Sequence, residues 1–342
     1  MGQLGFMDES NRLDKLSKLG DCLVKLNKLI DWIIFLPPIE AVFHKESKGP
    51  GGRKPYDYLM MFKILILQRI FNLSDEQTEF QINDRMSFMR FLGLGIEDTV
   101  PDAKTIWLFR DTITRAGIIR DLFDLFHKQL KDKGLITKAG TIVDATIVEA
   151  PSQRNSREEH ETIKKGEIPE EWKDNPAKMQ QKDTDARWTK KHGKTYFGYK
   201  NHVKADAESK LIDDYRVTNA SQGDGEQLPK MIDLEEDKVI YADSAYDGEP
   251  VAKALNQKIE NKICKQGRRG HLLTEEEKLK NQEYSRTRCR IEHIFAFMTE
   301  SMNGITLRSI GMKRAEFNIG LTNLIYNFFR YAFLEQRKSA VG

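Results

Sequence analysis

The sequence predicts a mixed α/β domain preceded by an all-helical N-terminal domain, and three observations support this. Residues 1 to about 136 carry helical periodicity broken by caps, glycines and prolines. At Ala139 the character changes to short β-branched runs separated by turn residues. Three acidic residues then stand where such runs end or on a late basic helix: Asp144 in TIVDATIV, Asp243 in KVIYADSAYDG and Glu292 in RTRCRIEHIF.

The 342 residues leave room for two domains, and 39% hydrophobic with 31% charged residues describes a soluble, globular chain. No apolar run approaches the roughly 20 residues that cross a bilayer. The opening MGQLGFMDES lacks a secretory signal, so a cytoplasmic protein with no membrane partner is expected. Three scattered cysteines without a CxxC pair disfavour a disulfide framework or zinc finger. The net charge of +3 is weak evidence for nucleic acid by itself; the local clustering of basic residues says more.

Leu16, Leu19, Leu23, Leu26, Ile30 and Ile33 alternate in steps of three and four, predicting a helical stripe closed by Pro37 and Pro38. GPGGRKP at 49–55 reads as a basic turn before an apolar helix over 56–71. Shorter helical patterns follow over 74–91, with Ser74 as cap and Gln77 at capping-box spacing. Another starts at Asp102 and stops at Gly117, and a last one runs from about 119 to 133, before Gly134.

TIVDATIVEA then predicts a buried strand. Residues 152–192 are polar and poor in aliphatic residues, which predicts a long surface insertion, partly disordered and outside the core. TYFGYKNHVKAD and LIDDYRVTNA, joined at AESK, predict an antiparallel hairpin. Asp224 and Gln227 can cap a helix towards Leu234. KVIYAD predicts a short buried strand, followed by a helix after Gly248, a strand at 262–265 and a long helix carrying Glu292.

Two aspartates and a glutamate are oxygen donors of the kind Mg²⁺ prefers. Two such ions about 4 Å apart can activate a water and stabilise a leaving oxygen in phosphodiester cleavage, with no covalent nucleophile needed. The motifs around these acids are specific. VDATIVEAP, YFGYKNH (196–202), RVTNAS (216–221), ADSAYDG and the RxxxE of Arg288 and Glu292 resemble the DDE transposases of the IS5 family of bacterial insertion sequences, in the IS4/IS5-type superfamily. GRKPYDYLMMFKILILQ and DAKTIWLFR extend the resemblance over most of the chain.

The resemblance implies an RNase H-like mixed sheet flanked by helices. It also implies catalytic metal ligands Asp144, Asp243 and Glu292 for two Mg²⁺ ions, with Mn²⁺ able to substitute. Arg288, one turn before Glu292 on the same helix face, would contact DNA or fix the glutamate. The implied partners are double-stranded DNA, as terminal inverted repeats and target, and further copies of the chain in a dimer or larger assembly. Location with the bacterial nucleoid follows. The domains expected are 1–136 (DNA binding and dimerisation), 137–335 (catalytic) and a 336–342 tail. Two positions depart from the family pattern: Ser285 replaces a tyrosine and Thr299 a lysine.

Basic residues near these acids are candidates to neutralise phosphates: Lys190, Lys191, Arg268, Arg269, Arg286 and Arg290. Lys200, His202 and Lys204 alternate on one strand face, expected to look towards DNA. Arg53 and Lys54 suit a groove, and the helices over 74–91 and 102–116, with Lys104 and Arg110, suit a helix-turn-helix. The rival readings are a nuclease of the same core that does not join strands, and an end-binding protein that has lost catalysis.

Overall fold

The computed structural model describes residues 8–44, 55–191, 193–256, 258–267, 270 and 272–341. Arg53, Lys54, Arg268 and Arg269 lie outside the described residues. The chain forms two compact units, one of residues 1–128 with 324–342, the other of residues 129–323. Among the described residues no helix is long and apolar enough to cross a membrane.

The first unit is helical. Its helices are α1 (Asp8–Lys18), α2 (Cys22–Leu29), α3 (Leu36–Phe43), α4 (Tyr58–Ile70), α5 (Asp75–Asp84), α6 (Met86–Leu92), α7 (Ala103–Ala116) and most of α8 (Ile119–Asp132). Residues from 324 onward, in the last helix of the chain, complete it. Phe328 there packs edge-on against Trp32, Phe35 and Phe126 at ring separations of 5.6, 5.8 and 4.7 Å.

The expected leucine stripe is not one helix. Gly20 turns with φ +96°, and Asp21 starts α2 by accepting from the Leu23 N–H at 2.9 Å. Leu23, Leu26 and Ile30 are buried, whereas Leu19 and Ile33 are 84% and 70% exposed. Pro37 and Pro38 begin α3 instead of ending a helix, because a first-turn N–H needs no partner. The shorter helical patterns expected over 74–91 are the two helices α5 and α6, separated at Arg85, whose backbone is extended. Ser74 and Asp102 cap as expected, accepting from Gln77 and Thr105 at 3.2 and 2.6 Å.

The second unit is built on a mixed sheet of six strands. They are β1 (Thr141–Glu149), β2 (Arg187–Lys191), β3 (Lys194–Asp206), β4 (Ile212–Asn219), β5 (Val239–Ala242) and β6 (Glu260–Ile263). β1 and β4 pair antiparallel with β3, β5 runs parallel to β1, and β6 runs parallel to β5. The order β4-β3-β1-β5-β6, with β2 added on the early part of β3, is the RNase H-like arrangement. Gly198 is required where β3 meets β1, since a Cβ there would lie 2.2 Å from the Val148 carbonyl oxygen.

Residues 152–191 are folded, whereas the sequence predicts an insertion over 152–192 that is partly disordered. They hold α9 (Arg157–Lys164), α10 (Glu170–Lys173), α11 (Pro176–Gln180) and β2. Trp172 is fully buried and donates to Glu159 at 2.6 Å. Buried Asp183 accepts from the Tyr199 hydroxyl and the Ala186 and Gly311 N–H groups at 2.8–3.1 Å. One tryptophan and one saturated carboxylate thus order a stretch with few aliphatic residues.

The helix expected after Asp224 is two 3₁₀ turns, Asp224–Glu226 and Leu228–Lys230, because Pro229 cannot donate to a continuing helix. α12 (Glu249–Leu255) packs with Val143, Ile240 and Ala242. α13 (Glu275–Arg288), α14 (Glu292–Ala296) and α15 (Met312–Val341) complete the chain, so residues 336–341, expected as a tail, are helical. Ala315 and Ile319 pack with Val148, Phe197 and Tyr199.

Candidate active site

Asp144 lies in the middle of β1, and Asp243 follows the last residue of β5. Thr141 pairs with Ile240 and Ile142 with Tyr241; two further steps along this parallel register bring Asp144 beside Asp243. Adjacent strands lie about 4.8 Å apart, so the two carboxylates are neighbours. Asp243 caps the 3₁₀ turn Ser244–Tyr246, accepting from the Ala245 N–H at 2.9 Å. This fixes its carboxylate at the strand end.

Glu292 opens α14, just past the 3₁₀ turn Cys289–Ile291 that follows α13. Ile291, Ile294 and Met298 are buried and anchor this segment. Arg288 connects the acids: one guanidinium nitrogen lies 3.4 Å from Asp144 Oδ2 and the other 3.1 Å from Glu292 Oε1. The Glu292 side chain is 62% exposed, against 19% for Asp144. Among the described residues no three His, Cys, Asp or Glu side chains form a group that could hold a metal ion. Register thus sets Asp144 and Asp243 at adjoining positions, and Glu292 is linked to Asp144 through Arg288.

Burial pushes the Asp144 carboxyl up to about 6, and the Asp243 charge adds to this. The Ala145 N–H, donating at 2.7 Å, and the charges of Arg288 and Lys191 pull the other way and do not offset it. A desolvated carboxylate beside a second one lacks positive charge. A hard divalent cation would supply it.

The β3 face expected to look towards DNA is covered. His202 is fully buried, with Nε2 at 2.8 Å from Thr218 Oγ1, and burial lowers its pKa to about 4. Lys204 is held between Asp213 and Asp237 at 2.8 and 3.1 Å, and Lys200 lies 2.9 Å from Asp224. Period two correctly puts the three on one face, but Asp213 on the paired strand β4 and Asp224 and Asp237 beyond it close over that face.

The other basic candidates divide. Lys190, Lys191, Arg286 and Lys104 are exposed. Arg290 donates to the Ala207 carbonyl at 2.9 Å, and Arg110 makes a two-pronged ion pair with Asp75 at 2.5 and 2.8 Å. At the two departures, Ser285 lies against Cys264, while the Thr299 hydroxyl donates to the Phe295 carbonyl at 2.9 Å. Tyr284 packs edge-on against Tyr241.

Sequence reasoning missed Tyr246. It is 1% exposed, and its hydroxyl has no hydrogen-bond partner among the described residues. The available signal was a polar-tipped aromatic three residues after Asp243, inside ADSAYDG.

Residues 137–328 match the family of the transposase DDE domain. The chain belongs to that family. Residues 11–112 match a second family, described as a transposase domain (DUF772), so both parts of this DDE transposase match transposase families. Among solved structures it is similar to a piggyBac transposase synaptic complex with hairpin DNA, with 12% identity and a TM-score of 0.46. That likeness covers 93% of this chain and 75% of the other.

Proposed function

We propose that the chain is the transposase of an IS5-type insertion sequence. It binds the terminal inverted repeats, hydrolyses the phosphodiester at each end and joins the freed 3′ hydroxyl to target DNA. The observation that carries this reading is the Asp144–Asp243 pair at adjoining strand positions, with Arg288 tying Asp144 to Glu292.

The donor set fits hard divalent ions: all three side chains offer oxygen, and the aspartate pair is short of positive charge. Asp144 and Asp243, joined by Glu292, would hold two Mg²⁺, with Mn²⁺ substituting. When bound, the ions activate the attacking oxygen and stabilise the leaving one. Arg288 sets the approach of Glu292 and offers a cation to the scissile phosphate. Lys190, Lys191 and Arg286 supply exposed positive charge for flanking phosphates, which makes binding steeply salt-dependent. The helical unit, with Lys104 exposed on α7, reads the repeats, and a dimer or larger assembly holds two ends.

The test incubates purified protein and Mg²⁺ with labelled DNA carrying the repeats that flank its own gene, beside Asp243→Asn. Nicking at the repeat tips with joined products, absent in the variant, is the expected result. Nicking without joining would leave a nuclease. Binding without cleavage in Mg²⁺ or Mn²⁺ would leave an end-binding protein.

A further inference from the structure

We propose that Arg288 competes with the divalent ions for the same two acids, so that loading the site releases the guanidinium from Asp144 and Glu292 and makes it available to a DNA phosphate. This rests on the metal-site reading above and adds to it an order of assembly, in which the ions are bound before Arg288 engages the backbone.

Both oxygens of Asp144 are engaged. Oδ1 accepts from the Ala145 N–H at 2.7 Å, and Oδ2 faces Arg288 Nη1 at 3.4 Å. Nη2 of the same guanidinium donates to Glu292 Oε1 at 3.1 Å. Among the described residues Asp144 and Glu292 are the only side chains that Arg288 bonds. One fork thus bridges two of the three oxygen donors that the ions need.

A carboxylate oxygen can accept a second partner, but the charges cannot be stacked so easily. A divalent ion repels a guanidinium a few Å away with twice the energy of two unit charges, more than the 3.4 Å contact contributes. The exchange needs only side-chain rotation. Arg288 closes α13 one turn before Glu292, while buried Ile291 and Ile294 hold the segment that carries the glutamate. Once released, the planar fork matches the oxygens of a phosphate. Lys191 also places positive charge near Asp144, but among the described residues it makes no ion pair with either acid, so it feels the ions without exchanging with them.

The experiment uses full-length wild type, Arg288→Gln, Lys191→Gln and Asp243→Asn, with Mn²⁺ alone as probe in calorimetry and melting curves in EDTA as a fold control. The expected result is Mn²⁺ binding by wild type, none by Asp243→Asn, and binding about tenfold tighter in Arg288→Gln, with a smaller gain in Lys191→Gln. Equal or weaker binding by Arg288→Gln, or a gain matched by Lys191→Gln, overturns the competition and leaves the metal site standing. No Mn²⁺ binding by wild type overturns the metal-site reading itself. A second readout needs no variant at position 288 and decides the matter if Arg288→Gln does not fold. Phenylglyoxal labels accessible guanidinium groups, and its adduct at Arg288, located by peptide mass spectrometry, should rise when Mn²⁺ is added to wild type but not to Asp243→Asn. An unchanged adduct in wild type that binds Mn²⁺ overturns the proposal. Adding repeat DNA to the loaded protein should protect Arg288 again, and continued labelling overturns its transfer to phosphate.

Discussion

Arg288 and Glu292 are joined by a 3.1 Å bond across the junction of α13 and α14, and the same guanidinium reaches Asp144 at 3.4 Å. The arginine thus does two things: it partly compensates a desolvated aspartate and it tethers an exposed glutamate. Replacing it with alanine should remove both effects. The pair with exposed Glu292 contributes only roughly 0.3–0.5 kcal/mol, so a lower melting temperature in EDTA would come chiefly from Asp144 losing its nearby cation. Single-turnover cleavage by Arg288→Ala should fall by about 100-fold or more, as expected when a charge aimed at the reacting group is lost. Normal cleavage would remove Arg288 from the site.

Asp144 should show the conflict between site and stability. Its carboxyl is held at about 6 instead of 3.8, so at neutral pH without metal the folded state carries a charge it disfavours. The shift corresponds to at most about 3 kcal/mol. Asp144→Asn should therefore raise the melting temperature in EDTA while abolishing cleavage. Adding Mg²⁺ should narrow the difference by stabilising only the wild type. A variant less stable than wild type in EDTA would contradict this account of the charge.

Much of the catalytic unit was legible because its strands are dense in β-branched residues and bounded by turns. Asp144 and Asp243 could be placed at strand positions from TIVDATIV and KVIYAD alone. Their adjacency depends on the parallel pairing of β1 with β5, which a single sequence does not display. The reading of Lys200, His202 and Lys204 failed for the same reason. Their common face was visible, but Asp224 and Asp237, which cover it together with Asp213 of the hairpin partner, come from beyond the hairpin. The insertion was misread because composition counts aliphatic residues, and its core is Trp172 plus hydrogen bonds to Asp183.

Buried His202 gives the chain a pH-sensitive stability. Its folded pKa is about 4, lowered mainly by burial, against about 6.5 when exposed. The unfolded chain therefore binds the proton more readily. The stabilisation is complete above about pH 6.5 and is lost as pH falls towards 4. Melting temperatures measured from pH 7.5 to 4.5 should fall more steeply in wild type than in His202→Gln. Parallel profiles would mean that other groups carry the acid sensitivity.

Asp183 is the test of whether the insertion is held from inside the sheet. Its carboxylate accepts from Tyr199 on β3 and from the Ala186 and Gly311 N–H groups, and it is 1% exposed. Asp183→Ala would leave several buried donors unpaired at a cost of roughly 1–3 kcal/mol each before relaxation. The neighbouring Asp185 would still bond the Met312 N–H at 2.8 Å, so α15 keeps a second anchor. The expected outcome is a folded protein destabilised by about 3 kcal/mol, with limited proteolysis directed to residues 152–186. Cleavage should fall less than in Asp144→Asn, because the three acids and Arg288 are left in place. Uniform proteolysis along the chain would instead make Asp183 a support of the whole unit.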